Sequence, residues 1–104
     1  MEKVYNKLVR DRIPEIIRHN GQHPTTAQLD EAAFHRHLRM KLLEEVNEFL
    51  ADEDIGELAD VLEVVEALLR ERGSGWSEVF GVKEEKVRDC GAFQEKKLLV
   101  SVQE

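Results

Sequence analysis

The sequence predicts an all-α fold: an antiparallel helical hairpin with two short flanking helices, completed to a four-helix bundle by oligomerisation. Three observations predict it. Two long stretches carry apolar residues at spacings of three and four, as an amphipathic helix requires. Only the acidic triplet Asp52-Glu53-Asp54 separates them, so the two helices must double back on one another. Glycine punctuates the chain at Gly21 and at Gly73-Ser74-Gly75, on either side of this pair. At 104 residues the chain has room for one domain, taken here as 1–104.

The elements follow in order. Residues 1–10 alternate loosely and read as an extended arm. Asp11 is placed to cap a short helix over about 12–20, with Pro14 in its first turn. Gly21 and Pro24 end that helix, and a loop runs to Gln28. The second helix spans about Leu29 to Ala51, with Phe34, Leu38, Leu42, Val46 and Phe49 on its apolar stripe. The third spans about Ile55 to Arg72, with Leu58, Val61, Leu62, Val64, Val65, Leu68 and Leu69. A fourth is expected from about Ser77 to Arg88, before Gly91. The tail from Phe93 to Val102 reads as a short strand or an extended arm. Two long and two short helices make a thin core, so pairing as a homodimer or homotetramer is expected to bury more surface.

Composition narrows the function. The net charge is -7, from 15 basic and 22 acidic residues, which disfavours a general nucleic-acid binder. One cysteine excludes an internal disulfide framework and the usual thiolate zinc sites. No apolar run approaches the ~18 residues of a membrane span. The start, MEKVYNKLVRDR, lacks the apolar stretch of a signal peptide, so a reducing cytoplasmic setting is expected. The acidity is concentrated: residues 41–72 hold eleven acids and three bases, whereas 1–40 hold five acids and seven bases.

That central charge run is more than a solvated face. On a helical wheel with Glu44 at zero, the apolar residues of the second helix fill an arc from roughly 80° to 260°. Glu45 falls at about 100°, between Phe34 and Leu38, and Glu48 at about 40°, just off the edge. With Glu57 at zero, the apolar arc of the third helix runs from roughly -20° to 140°. Glu57 lies inside it and Asp60 on its border, at about -60°. Glu63, Glu66 and Arg70 fall on the far side and are ordinary surface charges.

Each long helix thus has an acid inside its apolar stripe and another three residues later at the rim. In an antiparallel hairpin the two pairs, Glu45/Glu48 and Glu57/Asp60, meet at similar depth. Burying an unpaired carboxylate costs several kcal/mol, and clustered like charges raise one another's pKa. No Lys or Arg lies between Lys41 and Arg70, so the hairpin is not expected to supply a counter-charge. A divalent cation is the economical partner, and all-oxygen ligands suit Mg²⁺, Mn²⁺ or Ca²⁺ in preference to zinc. The plainer readings are a capping box at Asp54-Ile-Gly-Glu57 and simple surface acids at Glu45 and Glu48.

Other residues say less. His35 and His37 point in different directions on one helix and cannot chelate together. His19 and His23 straddle Gly21. Cys90 reads as an inert small residue, and Trp76 as packing. Lys7, Arg10 and Arg12 form a local basic cluster on the arm, placed either for solubility or to meet an anion above the acids.

The run EEVNE (Glu44 to Glu48) followed by ELAD (Glu57 to Asp60) resembles the EExxE…ExxD signature of the all-α nucleoside triphosphate pyrophosphohydrolases, the MazG-like and phosphoribosyl-ATP pyrophosphohydrolase superfamily. The opening YNKLVRDRIPEII and the tail KVRDCGAFQEKKLLV resemble the ends of a small house-cleaning subgroup, so the likeness covers nearly the whole chain. Two departures stand out. Residues 49–56, between Glu48 and Glu57, make a shorter link than in many MazG-like proteins. Asp89-Cys90-Gly91-Ala92 stands where a more basic, two-glycine stretch is expected.

The resemblance implies Mg²⁺-dependent hydrolysis between the α and β phosphates, giving a monophosphate and pyrophosphate. Metal ligands would map onto Glu45, Glu48, Glu57 and Asp60, and Glu44 would orient or deprotonate the attacking water. Charge complementarity adds Lys7 and Arg10 as phosphate contacts, with Lys83, Lys86 and Arg88 as further candidates. The alternative is a non-catalytic acidic helical bundle that binds a partner. A di-metal oxidoreductase is disfavoured because no His stands three residues after Glu44, Glu45, Glu48 or Glu57. An EF-hand is disfavoured because Gly56 falls where that loop needs a ligand.

Overall fold

The computed structural model describes residues 1–103, and all regular structure among them is helical. The four helices are α1 (Ile13–His19), α2 (Glu31–Asp52), α3 (Ile55–Glu71) and α4 (Trp76–Cys90). The chain divides into two compact units, Met1–Gly73 and Ser74–Glu104.

In the first unit, residues 1–10 carry no regular structure. Asp11 does not cap α1. Arg12 occupies the cap position in a helical conformation, without a side-chain cap, and Pro14 sits in the first turn as expected. The start of α2 is set by Asp30, whose carboxylate accepts from the Ala33 amide at 2.8 Å. That bond supplies one of the donors a helix start leaves open. Leu29 therefore lies outside the helix.

The hairpin turn is tight. Asp52 closes α2, Glu53 takes a left-handed conformation (φ 53°, ψ 29°), and Asp54 opens α3. The Glu53 amide donates to the Phe49 carbonyl, and the Asp54 carboxylate accepts from the Gly56 amide at 3.1 Å. One non-glycine residue in the left-handed region reverses the chain between two caps. At the other end of the hairpin, His35 near the start of α2 pairs with Glu71 at the end of α3. The two helices run antiparallel along their length.

Apolar residues from the two stripes face each other in this seam. Among the described apolar residues, Leu38 (2 % exposed) and Val64 (7 %) are the buried ones. Phe34, Leu42, Val46 and Phe49 of α2 and Val61, Val65, Leu68 and Leu69 of α3 are half-buried. Leu43 and Leu50 on α2, and Ile55, Leu58 and Leu62 on α3, remain exposed. The wheel arcs are therefore wider than the seam, and their edges face outward.

In the second unit, α4 starts one residue earlier than Ser77 and runs two beyond Arg88. Trp76 stacks on Phe80 with ring centroids 5.4 Å apart. The Ser74 hydroxyl donates to the Glu78 carboxylate. Gly91 (φ 85°, ψ -178°) ends the helix in a conformation open only to glycine. The described tail forms no strand; residues 93–95 make a bend and turn, and Lys96 is left-handed (φ 58°). Among the described residues, no helix is long and apolar enough to cross a membrane.

Candidate metal centre

The site lies at the turn end of the α2–α3 seam, where both helices bring an acid out of register with their surface charge. Glu45 is 7 % exposed, the only charged residue among the buried ones described. It sits one turn after Lys41 and two turns after Leu38, on the stripe that packs against α3. Glu57 stands in the first turn of α3 and Asp60 one turn further on. Carboxylate oxygens of Glu45, Glu57 and Asp60 lie within 4.8 Å of one another, across the two helices. A second triad, Glu44, Glu45 and Glu48, meets the same limit along α2. Glu45 belongs to both. Glu48 is exposed and groups with its own helix.

Bases do reach these acids, contrary to expectation. The Lys41 ammonium lies 3.1 Å from Glu44 Oε2 and 3.3 Å from Glu45 Oε1. Lys7 Nζ lies 2.9 Å from Glu44 Oε1. Arg10 Nη2 lies 2.8 Å from Asp60 Oδ1. The hairpin therefore supplies one counter-charge of its own, through i,i+3 and i,i+4 geometry, and the arm supplies two more. Lys41 is the functional residue the sequence reading lacks, although its i,i+3 and i,i+4 spacing to Glu44 and Glu45 is the signal for it.

These cations do not satisfy the whole cluster. Glu45 Oε2 and Glu57 Oε2 are both shielded from solvent and have no hydrogen-bond partner. For Glu45, the more buried of the two, an oxygen left unmatched costs about 1–3 kcal/mol. The Asp54 carboxylate caps Gly56 instead, so this orphaned Glu57 oxygen takes no part in the capping box that was the plainer reading.

Electrostatics divides the acids into two kinds. Burial pushes the Glu45 carboxyl above its ordinary value and the nearby Glu48 charge adds to this, against the opposing pull of Lys41. Glu57 is also raised, by desolvation first and then by Asp60, Asp52, Glu45 and Asp54. Glu44 is lowered, chiefly by the hydrogen bond from Lys7 and against the cost of burial, with Lys41 adding to it. Burial alone would lower Lys41, but its bonds to Glu44 and Glu45 prevail and raise it. The inner acids thus hold unmet negative charge, whereas Glu44 is already matched. An all-oxygen set of this kind fits Mg²⁺ or Mn²⁺ better than a thiophilic metal.

Arg12 pairs with Glu15. Lys83, Lys86 and Arg88 are exposed on α4, in the second unit. On the outer side of α2, an open groove of about 520 Å³ is lined by Lys7, Met40, Leu43, Glu44, Asn47, Glu48 and Ala51. No protein-family model, curated protein or solved structure matches the chain.

Proposed function

We propose that this chain is a Mg²⁺-dependent nucleoside triphosphate pyrophosphohydrolase, cleaving between the α and β phosphates to release monophosphate and pyrophosphate. A nucleotide-pool house-cleaning role goes with that reading. The observation that carries it is the pair of partnerless oxygens shielded from solvent, Glu45 Oε2 and Glu57 Oε2, on two of the three residues whose carboxylates converge with that of Asp60. The likeness of EEVNE and ELAD to the MazG-like signature supports it.

In this reading Glu45, Glu57 and Asp60 hold the cation, with Glu48 at the rim, and Mn²⁺ substitutes for Mg²⁺. Mg²⁺ held there would supply charge neutralisation for a triphosphate and would lower the pKa of water. The protein's own part is positioning, because in-line attack on a phosphorus needs little covalent help. Glu44, held below the usual carboxylate range by Lys7 and Lys41, is a weak base. It suits accepting a hydrogen bond from the attacking water. Lys41 keeps Glu45 Oε1 engaged and leaves Oε2 for the cation. Lys7 and Arg10 are near enough to meet phosphate charge, and Lys83, Lys86 and Arg88 are candidates on charge alone. A second copy of the chain, in a homodimer or homotetramer, would cover the exposed Leu43, Leu50, Ile55 and Leu62 of the hairpin.

The competing reading, an acidic bundle that binds a partner without catalysis, draws on the three cations already paired in the site. It leaves the two orphaned oxygens unexplained. A panel of nucleoside triphosphates with Mg²⁺, assayed for both products, separates the two. Monophosphate plus pyrophosphate is expected. Diphosphate plus orthophosphate would place the attack on another phosphorus, and no turnover would favour the binding protein.

A further inference from the structure

The N-terminal arm touches the acidic site at two charged points and from both sides. Lys7 reaches Glu44 on α2 at 2.9 Å, and three residues later Arg10 reaches Asp60 on α3 at 2.8 Å. The arm has no helix or strand of its own to hold it there, and Asn6 bends it through a left-handed conformation (φ 49°). Its seating is also loose. A cavity of about 160 Å³ remains between the arm and α2, lined by Leu8, His37, Met40 and Lys41 among others. Both arm bases are more than half exposed. Ion pairs, and little packing, fasten this segment across the mouth of the hairpin.

Asp60 is the acid on which the two roles collide. It completes the cross-helix triad with Glu45 and Glu57, and it is also the anchor of Arg10. A dication on that triad would oppose the guanidinium through like-charge repulsion. Lys7 holds Glu44, which lies outside that triad and keeps Lys41 as a second partner.

We propose that the arm is a charged latch. Arg10, supported by Lys7, closes it over the metal-free site, and a divalent cation on Glu45, Glu57 and Asp60 releases it. The freed bases then face outward for an anionic ligand. The release step rests on the metal-centre reading above, whereas the closed latch rests on the two ion pairs alone.

Solvent-exposed pairs of this kind are each worth about a two- to fivefold factor in an equilibrium. Calorimetric titration with Mn²⁺ should therefore show Arg10→Ala binding about two- to fivefold more tightly than the unaltered chain. Lys7→Ala should change affinity less. A second readout is limited trypsin cleavage after Lys7 and Arg10, followed by mass spectrometry. Mn²⁺ should speed cleavage of the unaltered chain, and Asp60→Asn should cleave quickly even in chelator. Unchanged or weaker Mn²⁺ binding by Arg10→Ala, with the unaltered chain binding normally, overturns the latch and leaves the metal centre standing. Slow cleavage of Asp60→Asn in chelator also overturns it. An unaltered chain that binds no Mn²⁺ overturns the metal centre and the release together.

Discussion

Replacing Glu45 by glutamine should invert the order of stability between metal-free and metal-loaded protein. In chelator, the carboxylate is 7 % exposed and one of its oxygens has no partner. Glutamine keeps the shape and removes the charge, so it relieves the charge's share of the burial cost, about 1–2 kcal/mol, although its amide still leaves one buried polar atom unpaired. It also gives up the Lys41 contact at 3.3 Å, worth about 0.5–1 kcal/mol, although Lys41 keeps Glu44. The net is a gain of roughly 1 kcal/mol, or about 4–8 °C in Tm for a domain of this size. With Mn²⁺ at about 100 times its Kd, the unaltered chain gains about 2.7 kcal/mol by mass action. The variant, stripped of the shared ligand, should gain little. It would lead in chelator and trail in Mn²⁺. Thermal denaturation followed by circular dichroism, at one fixed protein concentration, reads both arms. A variant less stable in chelator, or one with the full Mn²⁺ increment, would refute the reasoning.

Other outcomes follow from the same geometry. Glu57→Gln should abolish Mg²⁺-dependent pyrophosphate release while leaving the helical circular dichroism intact; retained turnover would remove Glu57 from the site. Lys41→Met should cost about 1–3 kcal/mol at neutral pH by leaving Glu45 without its one counter-ion, and acidification should recover much of it; an equal loss in urea melts at both pH values would deny that pairing. The pH dependence has two signs. Glu45 and Glu57 are raised in the folded chain, so their contribution is favourable below the ordinary glutamate value of about 4.3 and is lost as pH rises through the raised values. Glu44 is lowered, so its stabilisation is present above the ordinary value and is lost as pH falls through the depressed one. Mild acidification from neutrality should therefore stabilise the chelated protein and weaken Mn²⁺ binding; a stability profile that falls monotonically, unaltered in Glu45→Gln, would contradict both shifts. Leu38→Ala, at the most buried apolar position, should cost about 2–5 kcal/mol in the same melts.

The hairpin was legible because its signals are local and redundant. The stripe of Phe34, Leu38, Leu42, Val46 and Phe49, the acidic turn and the glycines after Arg72 all point to the same pair of helices. The cross-helix meeting of Glu45, Glu57 and Asp60 was legible for a related reason: antiparallel register follows from a short turn, and a wheel places each acid on its face. What escaped notice depends on choices that spacing does not decide. Asp11 has a capping side chain, yet the helical backbone at Arg12 leaves it no cap to make. Lys41 meets its acids through side-chain choices on one helix turn that spacing permits but does not dictate, and pairing Lys7 with Glu44 or Arg10 with Asp60 is a tertiary event across 37 and 50 residues of chain. Glu48, set just off the apolar edge by the wheel, is exposed and groups with Glu44 and Glu45 along α2.

The most direct test is an electron paramagnetic resonance titration with Mn²⁺, in which free ion gives a sharp signal that binding quenches. Saturable loss of that signal is expected with the unaltered chain, with Mg²⁺ restoring it in competition, and with Glu45→Gln and Glu57→Gln leaving it nearly undiminished. A signal that rises with added Mn²⁺ as it does in buffer alone, for a chain shown to be folded, would contradict a metal centre at Glu45, Glu57 and Asp60.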